Sequence, residues 1–109
     1  MGEHMNDLDR IQKQIGDWAE ATFEHTAFGI MTHIREEADE LIAAWRDQPM
    51  DSVRQEAADI GILLFTLANF LGFSLHDAIG AKHVVNVGRT WVKCDDGITR
   101  HSQHAKAPR

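Results

Sequence analysis

Apolar residues recur at helical spacing along most of the chain. Leu8, Ile11, Ile15 and Trp18 fall three and four residues apart and predict a first helix from about Asn6 or Asp7 to Thr22. The period lapses between Phe23 and Gly29, then resumes over about Ile30 to Arg46. In that second helix Ile30, Ile34, Leu41 and Trp45 mark the apolar side, while Glu36, Glu37, Asp39 and Glu40 crowd one segment. Pro49 ends it, because proline cannot continue a helix and restrains the residue before it. Asp51 or Ser52 can cap a third helix, with Gln55 completing a capping box from Ser52; it runs to Leu71 and closes on Gly72. Ser74 and Asp77 open a fourth, reaching about Arg89 or Thr90. After Trp91, two short runs around Asp95, Asp96 and Gly97 fit either a hairpin or a loose tail, with the residues from His101 onward loose in both cases. The expected fold is all-α, four helices, with no room for a βαβ unit.

Size and charge sharpen this picture. At 109 residues the chain is expected to be one domain. It should bury roughly two-thirds of its unfolded surface, so apolar helix faces left over favour oligomerisation. Ile60 to Phe73 reads as a buried helix, too short to span a bilayer and interrupted by Asn69. The opening MGEHMNDLDR lacks the apolar core of a signal peptide. The single cysteine, Cys94, permits no intramolecular disulfide, so a cytoplasmic location is expected, and nothing nearby in the sequence activates its thiol. A formal net charge of −6 argues against partnership with nucleic acid or an anionic membrane. An acidic protein that handles phosphates needs a cation between itself and them.

The carboxylates suggest which cation. Glu37 and Glu40 are three apart, as are Glu56 and Asp59, which puts each pair on one helix face. The short connector at Pro49 makes the second and third helices antiparallel neighbours, so the two pairs can meet across the seam. Four converging carboxylates repel unless a cation lies among them, and all-oxygen ligation suits Mg²⁺ or Mn²⁺. Arg35, Arg46 and Arg54 leave open the plainer reading of a solvated, salt-bridged face. The apolar neighbours Ala38, Leu41, Ala57, Ala58, Ile60 and Leu63 weigh against it. A di-iron bundle would need Glu-x-x-His pairs, and the chain has none. His33, four residues before Glu37, is either an accessory or supporting group for the site or a partly buried polar residue.

Glu36-Glu37-Ala38-Asp39-Glu40, then after fifteen residues Glu56-Ala57-Ala58-Asp59, resembles the Glu-Glu-x-x-Glu … Glu-x-x-Asp signature of MazG-like nucleoside triphosphate pyrophosphohydrolases. Trp18, Thr22-Phe23, His33 and the block Lys82, Asn86, Arg89, Thr90, Trp91 are similar to the small dATP/dGTP pyrophosphohydrolase branch. The resemblance covers about residues 11–92, so a helical domain over 1–92 and a C-terminal extension over 93–109 are expected.

The resemblance implies Mg²⁺-dependent cleavage of a nucleoside triphosphate between its α- and β-phosphates. Glu37, Glu40, Glu56 and Asp59 would be the metal ligands and Glu36 the residue that handles the attacking water. It also implies a homodimer or dimer of dimers. Lys82, Asn86 and Arg89 follow a four-then-three spacing that could grip a polyphosphate, or simply form a solvated face. Trp18, Phe23 and His33 are candidate base contacts, although apolar residues at helical spacing such as Trp18 and Phe23 more often belong to a core. The reading from another class is a non-catalytic, metal-binding helical oligomer acting as a regulatory or interaction module. The intact set of five carboxylates favours the enzyme.

Overall fold

A computed structural model describes residues 4–102. Four helices and a small hairpin follow one another: α1 (Asp7–Thr22), α2 (Ala27–Asp47), α3 (Met50–Leu71), α4 (Leu75–Val87), β1 (Trp91–Lys93) and β2 (Thr99–His101). The all-α expectation therefore holds, with the hairpin as its only sheet among the described residues. Two compact units divide the chain, Met1–His76 and Asp77–Arg109.

In the first unit, α3 packs against both α2 and α1. Asn6 caps α1: its side-chain oxygen accepts from the Asp9 amide at 2.8 Å, satisfying one of the donors a helix start leaves over. Helix α2 begins at Ala27, three residues before the apolar period resumes. Thr26 explains the difference, since its hydroxyl accepts from the Gly29 amide at 3.0 Å and so draws Gly29 into the first turn. Only Gln48 and Pro49 separate α2 from α3, and the chain folds back there as expected.

The expected Ser52–Gln55 capping box is not what starts α3. The helix begins at Met50 with Pro49 in the capping position and no side-chain cap bond, while Asp51 pairs with Arg54 at 2.8 Å. Pro49 has no N–H to satisfy, and its φ of −67° suits entry to a helix. Helix α3 closes on Gly72 as expected. That residue is left-handed (φ 83°), and its amide and that of Phe73 both return to the Ala68 carbonyl.

The core is small. Ala19, Ile30, Ala44 and Ala68 are its buried apolar residues, joined by Gln12 and Thr66. The expectation that Ile60–Phe73 forms a buried helix is corrected accordingly: Phe70 and Leu71 are about half-exposed, and Ile62, Leu64 and Phe73 are exposed as well. Within the first unit only α1 and α2, among the described elements, pack against α3.

In the second unit α4 ends at Val87, short of Arg89. The hairpin pairs Trp91 with His101, Val92 with Arg100 and Lys93 with Thr99. Its turn is a three-residue loop in which Cys94 N–H donates to the Ile98 carbonyl, and Gly97 takes the left-handed position (φ 84°). Asp96 fixes the loop by accepting from the Ile98 amide and from both terminal nitrogens of Arg100. His101 is thus part of a strand rather than loose. The rest of the expected tail, 103–109, lies outside the described residues.

Candidate active site

Helices α2 and α3 bring three of the four expected carboxylates to one place, and Glu40 lies outside the group. Glu37, Glu56 and Asp59 each offer an oxygen to a cluster whose atoms lie within 4.8 Å of one another. Glu40, one turn beyond Glu37, is exposed, yet it is close enough to act on Glu37. The Glu37 carboxyl is raised from its ordinary value to about 7, first by the hydrogen-bonding approach of Glu56, then by burial, then by Glu40. Oε2 of Glu37 and Oε2 of Glu56 are both buried without a hydrogen-bond partner.

Buried polar atoms are nearly always satisfied. Two orphaned carboxylate oxygens beside a third carboxylate therefore fit a hard divalent cation, which takes oxygen ligands and removes the repulsion among them. His33 stands one turn before Glu37 on α2, its Nε2 3.3 Å from Glu37 Oε1.

A cleft of about 630 Å³ opens onto this cluster. Glu37 and Asp59 line it together with His33, while Trp18, Phe23 and His25 supply its aromatic surface. Trp18 and Phe23 meet edge to face with ring centroids 5.0 Å apart, and Phe23 lies 5.6 Å from the His25 ring. Neither aromatic is core: Trp18 is 56% exposed and Phe23 47%. The segment 23–26, where the apolar period lapses, is the connector that carries Phe23 and His25 to the cleft.

Other predicted residues stand elsewhere. Glu36 is exposed and outside the 4.8 Å cluster. Lys82, Asn86 and Arg89 belong to the second unit. Lys82 and Asn86 share a face of α4, one turn apart. Arg89 lies beyond the helix end, its amide donating to the Asn86 carbonyl at 3.2 Å, so the expected three-residue helical face is corrected to two. Asn86 Oδ1 is buried and unpartnered, and the Trp91 indole N–H donates to the Asn86 carbonyl at 2.9 Å.

Sequence reasoning passed over His25, which has no ligand spacing to mark it. Its Nε2 is buried and unpartnered in the cleft wall. The only signal available was its place in the break between α1 and α2.

The chain matches the family model described as dATP/dGTP pyrophosphohydrolase over residues 11–109, a match that runs on past Trp91, where the residue resemblance stops. A dATP/dGTP diphosphohydrolase of Cyanophage S-2L is 38% identical over 80 residues, 73% of this chain and 72% of the relative. One from Salmonella phage PMBT28 is 31% identical over 93 residues, 84% of this chain but 30% of the longer relative. Among solved structures, the Cyanophage S-2L MazG-like pyrophosphohydrolase, bound to dGDP and three catalytic Mn²⁺ ions per active site, superposes with a TM-score of 0.70 at 33% identity. That match covers 89% of this chain and 98% of the other.

Proposed function

The chain belongs to the dATP/dGTP pyrophosphohydrolase family, and from that premise we propose that it hydrolyses purine deoxynucleoside triphosphates to the monophosphate and pyrophosphate. It is a MazG-like nucleoside triphosphate pyrophosphohydrolase, a metal-binding hydrolase of all-α fold. The observation that carries the purine reading is the cleft that joins the carboxylate cluster to the exposed Trp18–Phe23 pair. A large base has somewhere to stack while its phosphates reach the acidic end.

Glu37, Glu56 and Asp59, with Glu40 beside them, would hold the divalent cation, Mg²⁺ or Mn²⁺. The cation supplies charge neutralisation for the polyphosphate and activation of water. Glu36 would orient that water and accept its proton while the bond between the α- and β-phosphates is hydrolysed. Lys82, Asn86 and Arg89 would donate hydrogen bonds to phosphate oxygens. Trp18 and Phe23 would stack on the base, where an aromatic face accepts either purine.

A homodimer or dimer of dimers belongs to the same reading. Phe28 is 79% exposed and Trp45 68%, alongside the half-exposed Phe70 and Leu71, more large apolar surface than a lone chain usually leaves to water. No single helix among the described residues is long and apolar enough to cross a membrane. A cytoplasmic setting and the lack of a nucleic-acid partner stay part of the proposal on grounds of charge and cysteine usage.

Pyrophosphate release from a panel of ribo- and deoxynucleoside triphosphates, with Mg²⁺ or Mn²⁺, tests the proposal. Turnover should be greatest with dATP and dGTP. No turnover with any of them at micromolar enzyme rejects the activity, and a preference for pyrimidines rejects the base assignment. A monomeric mass at low micromolar concentration contradicts the oligomer.

A further inference from the structure

We propose that His33 is a positioning residue for the cation site: its imidazole holds Glu37 by Oε1 and so keeps Oε2 within the carboxylate cluster. The inference rests on the reading of Glu37, Glu56 and Asp59 as a divalent-cation site.

Glu37 is the residue of the cluster that most needs holding. Its side chain has three rotatable bonds, and both Glu56 and Glu40 act on its carboxyl. Left to itself, an ionised Glu37 would turn away from them towards water. It does not: its side chain is only 14% exposed, and Oε2 is buried.

The neighbour on the opposite edge of that carboxylate is His33, 3.3 Å away from Oε1. The two residues are one helical turn apart on α2, so the helix itself fixes their approach. At 3.3 Å the pair is at ion-pair distance without being aligned as a hydrogen bond; a turn of the ring with its proton on Nε2 aims that donor at Oε1. Carboxylates that bind metals are commonly held in place by such outer partners, and loss of one costs affinity rather than fold.

His33 also lines the nucleotide cleft, where a base contact is the competing role. The ring contacts in the cleft wall run from Trp18 to Phe23 to His25 and do not include His33. Its placement on the Glu37 side of the cleft assigns it to the carboxylate.

Mn²⁺ alone, titrated calorimetrically into the metal-free full-length protein, separates these roles. His33 is about half-exposed, so His33→Ala should fold, as circular dichroism will show. Its Mn²⁺ affinity should fall roughly 10–100-fold. His33→Gln, which keeps an N–H donor at similar reach, should recover most of that loss. With dATP and dGTP, turnover by His33→Ala should fall by one common factor at limiting Mn²⁺ and return at saturating Mn²⁺. Equal Mn²⁺ affinity in wild type and His33→Ala overturns the proposal, as does no recovery in His33→Gln. A loss confined to KM for one base, with Mn²⁺ affinity unchanged, makes His33 a base contact instead. A wild-type protein that binds no Mn²⁺ removes the cation site itself, a result distinct from all of these.

Discussion

Glu37 and Glu56 bring carboxylate oxygens within 4.8 Å of each other across the α2–α3 seam, and each keeps its Oε2 buried and unpartnered. A proton held between them in a partly buried place makes the metal-free protein sensitive to pH. The Glu37 carboxyl is raised from 4.5 to about 7 in the fold, so the folded state binds its proton more tightly than the unfolded chain does. This contribution to stability is fully present below about 4.5 and is lost as pH rises through 7. In EDTA, the melting temperature of wild type relative to Glu37→Gln should therefore decline across that window. Saturating Mn²⁺ should abolish the decline, because the cation takes over the proton's role. Scanning fluorimetry of both proteins checks it, and a flat difference between them contradicts the arrangement.

Replacing Glu40 or Asp59 by alanine should remove turnover while leaving the helical spectrum intact. Both are exposed, so neither supports the core, and each takes away a like charge. The loss should exceed the roughly 10–100-fold expected for an outer partner of a metal ligand. Activity at near wild-type rate in either variant would show that the ligand set is wrong.

Trp18→Ala should raise KM for dATP and dGTP with little change in melting temperature. Stacking on an aromatic side chain is worth about 1–3 kcal/mol per base, or roughly 5–150-fold. Trp18 is more than half-exposed, which limits its part in stability. Steady-state kinetics set against a thermal melt decide the matter, and a large drop in melting temperature with unchanged KM would return Trp18 to the core.

Stability should depend sharply on a polar clasp that fixes α1 to the end of α3. The buried Gln12 amide donates to Asn69 Oδ1 at 3.2 Å and to the Phe73 carbonyl at 2.8 Å, and accepts from the Leu75 amide at 3.0 Å. Asn69 returns a bond to the Gln12 carbonyl at 2.9 Å. Gln12→Ala strands these partners at a cost of about 1–3 kcal/mol, and each kcal/mol lowers the melting temperature of a domain this size by about 4–8 °C. Gly16→Ala should act on the same clasp, because a Cβ there would stand 2.6 Å from Asn69 Nδ2. Since the two changes share Asn69, the double variant should lose less than the sum of the singles. Additive losses would mean that the contacts are independent.

Much of this was legible in the residues themselves. Helical periodicity located α1 to α4, and Pro49 and Gly72 set breaks, because a missing N–H and a left-handed φ are properties of single residues. The spacing of Glu37, Glu40, Glu56 and Asp59 already implied a shared seam, and Glu37, Glu56 and Asp59 meet there.

Tertiary structure decided the rest. Thr26 rather than the apolar period fixed the start of α2, and α4 stopped before Arg89. Clustering drew in Glu37, Glu56 and Asp59 but left Glu36 at the surface, because neighbouring positions on a helix point about 100° apart. His25 could enter the cleft wall only through the path of the connector, which no periodicity describes. A sequence fixes which residues share a helix face; which of those faces meet, and what they close around, depends on packing between elements distant in the chain.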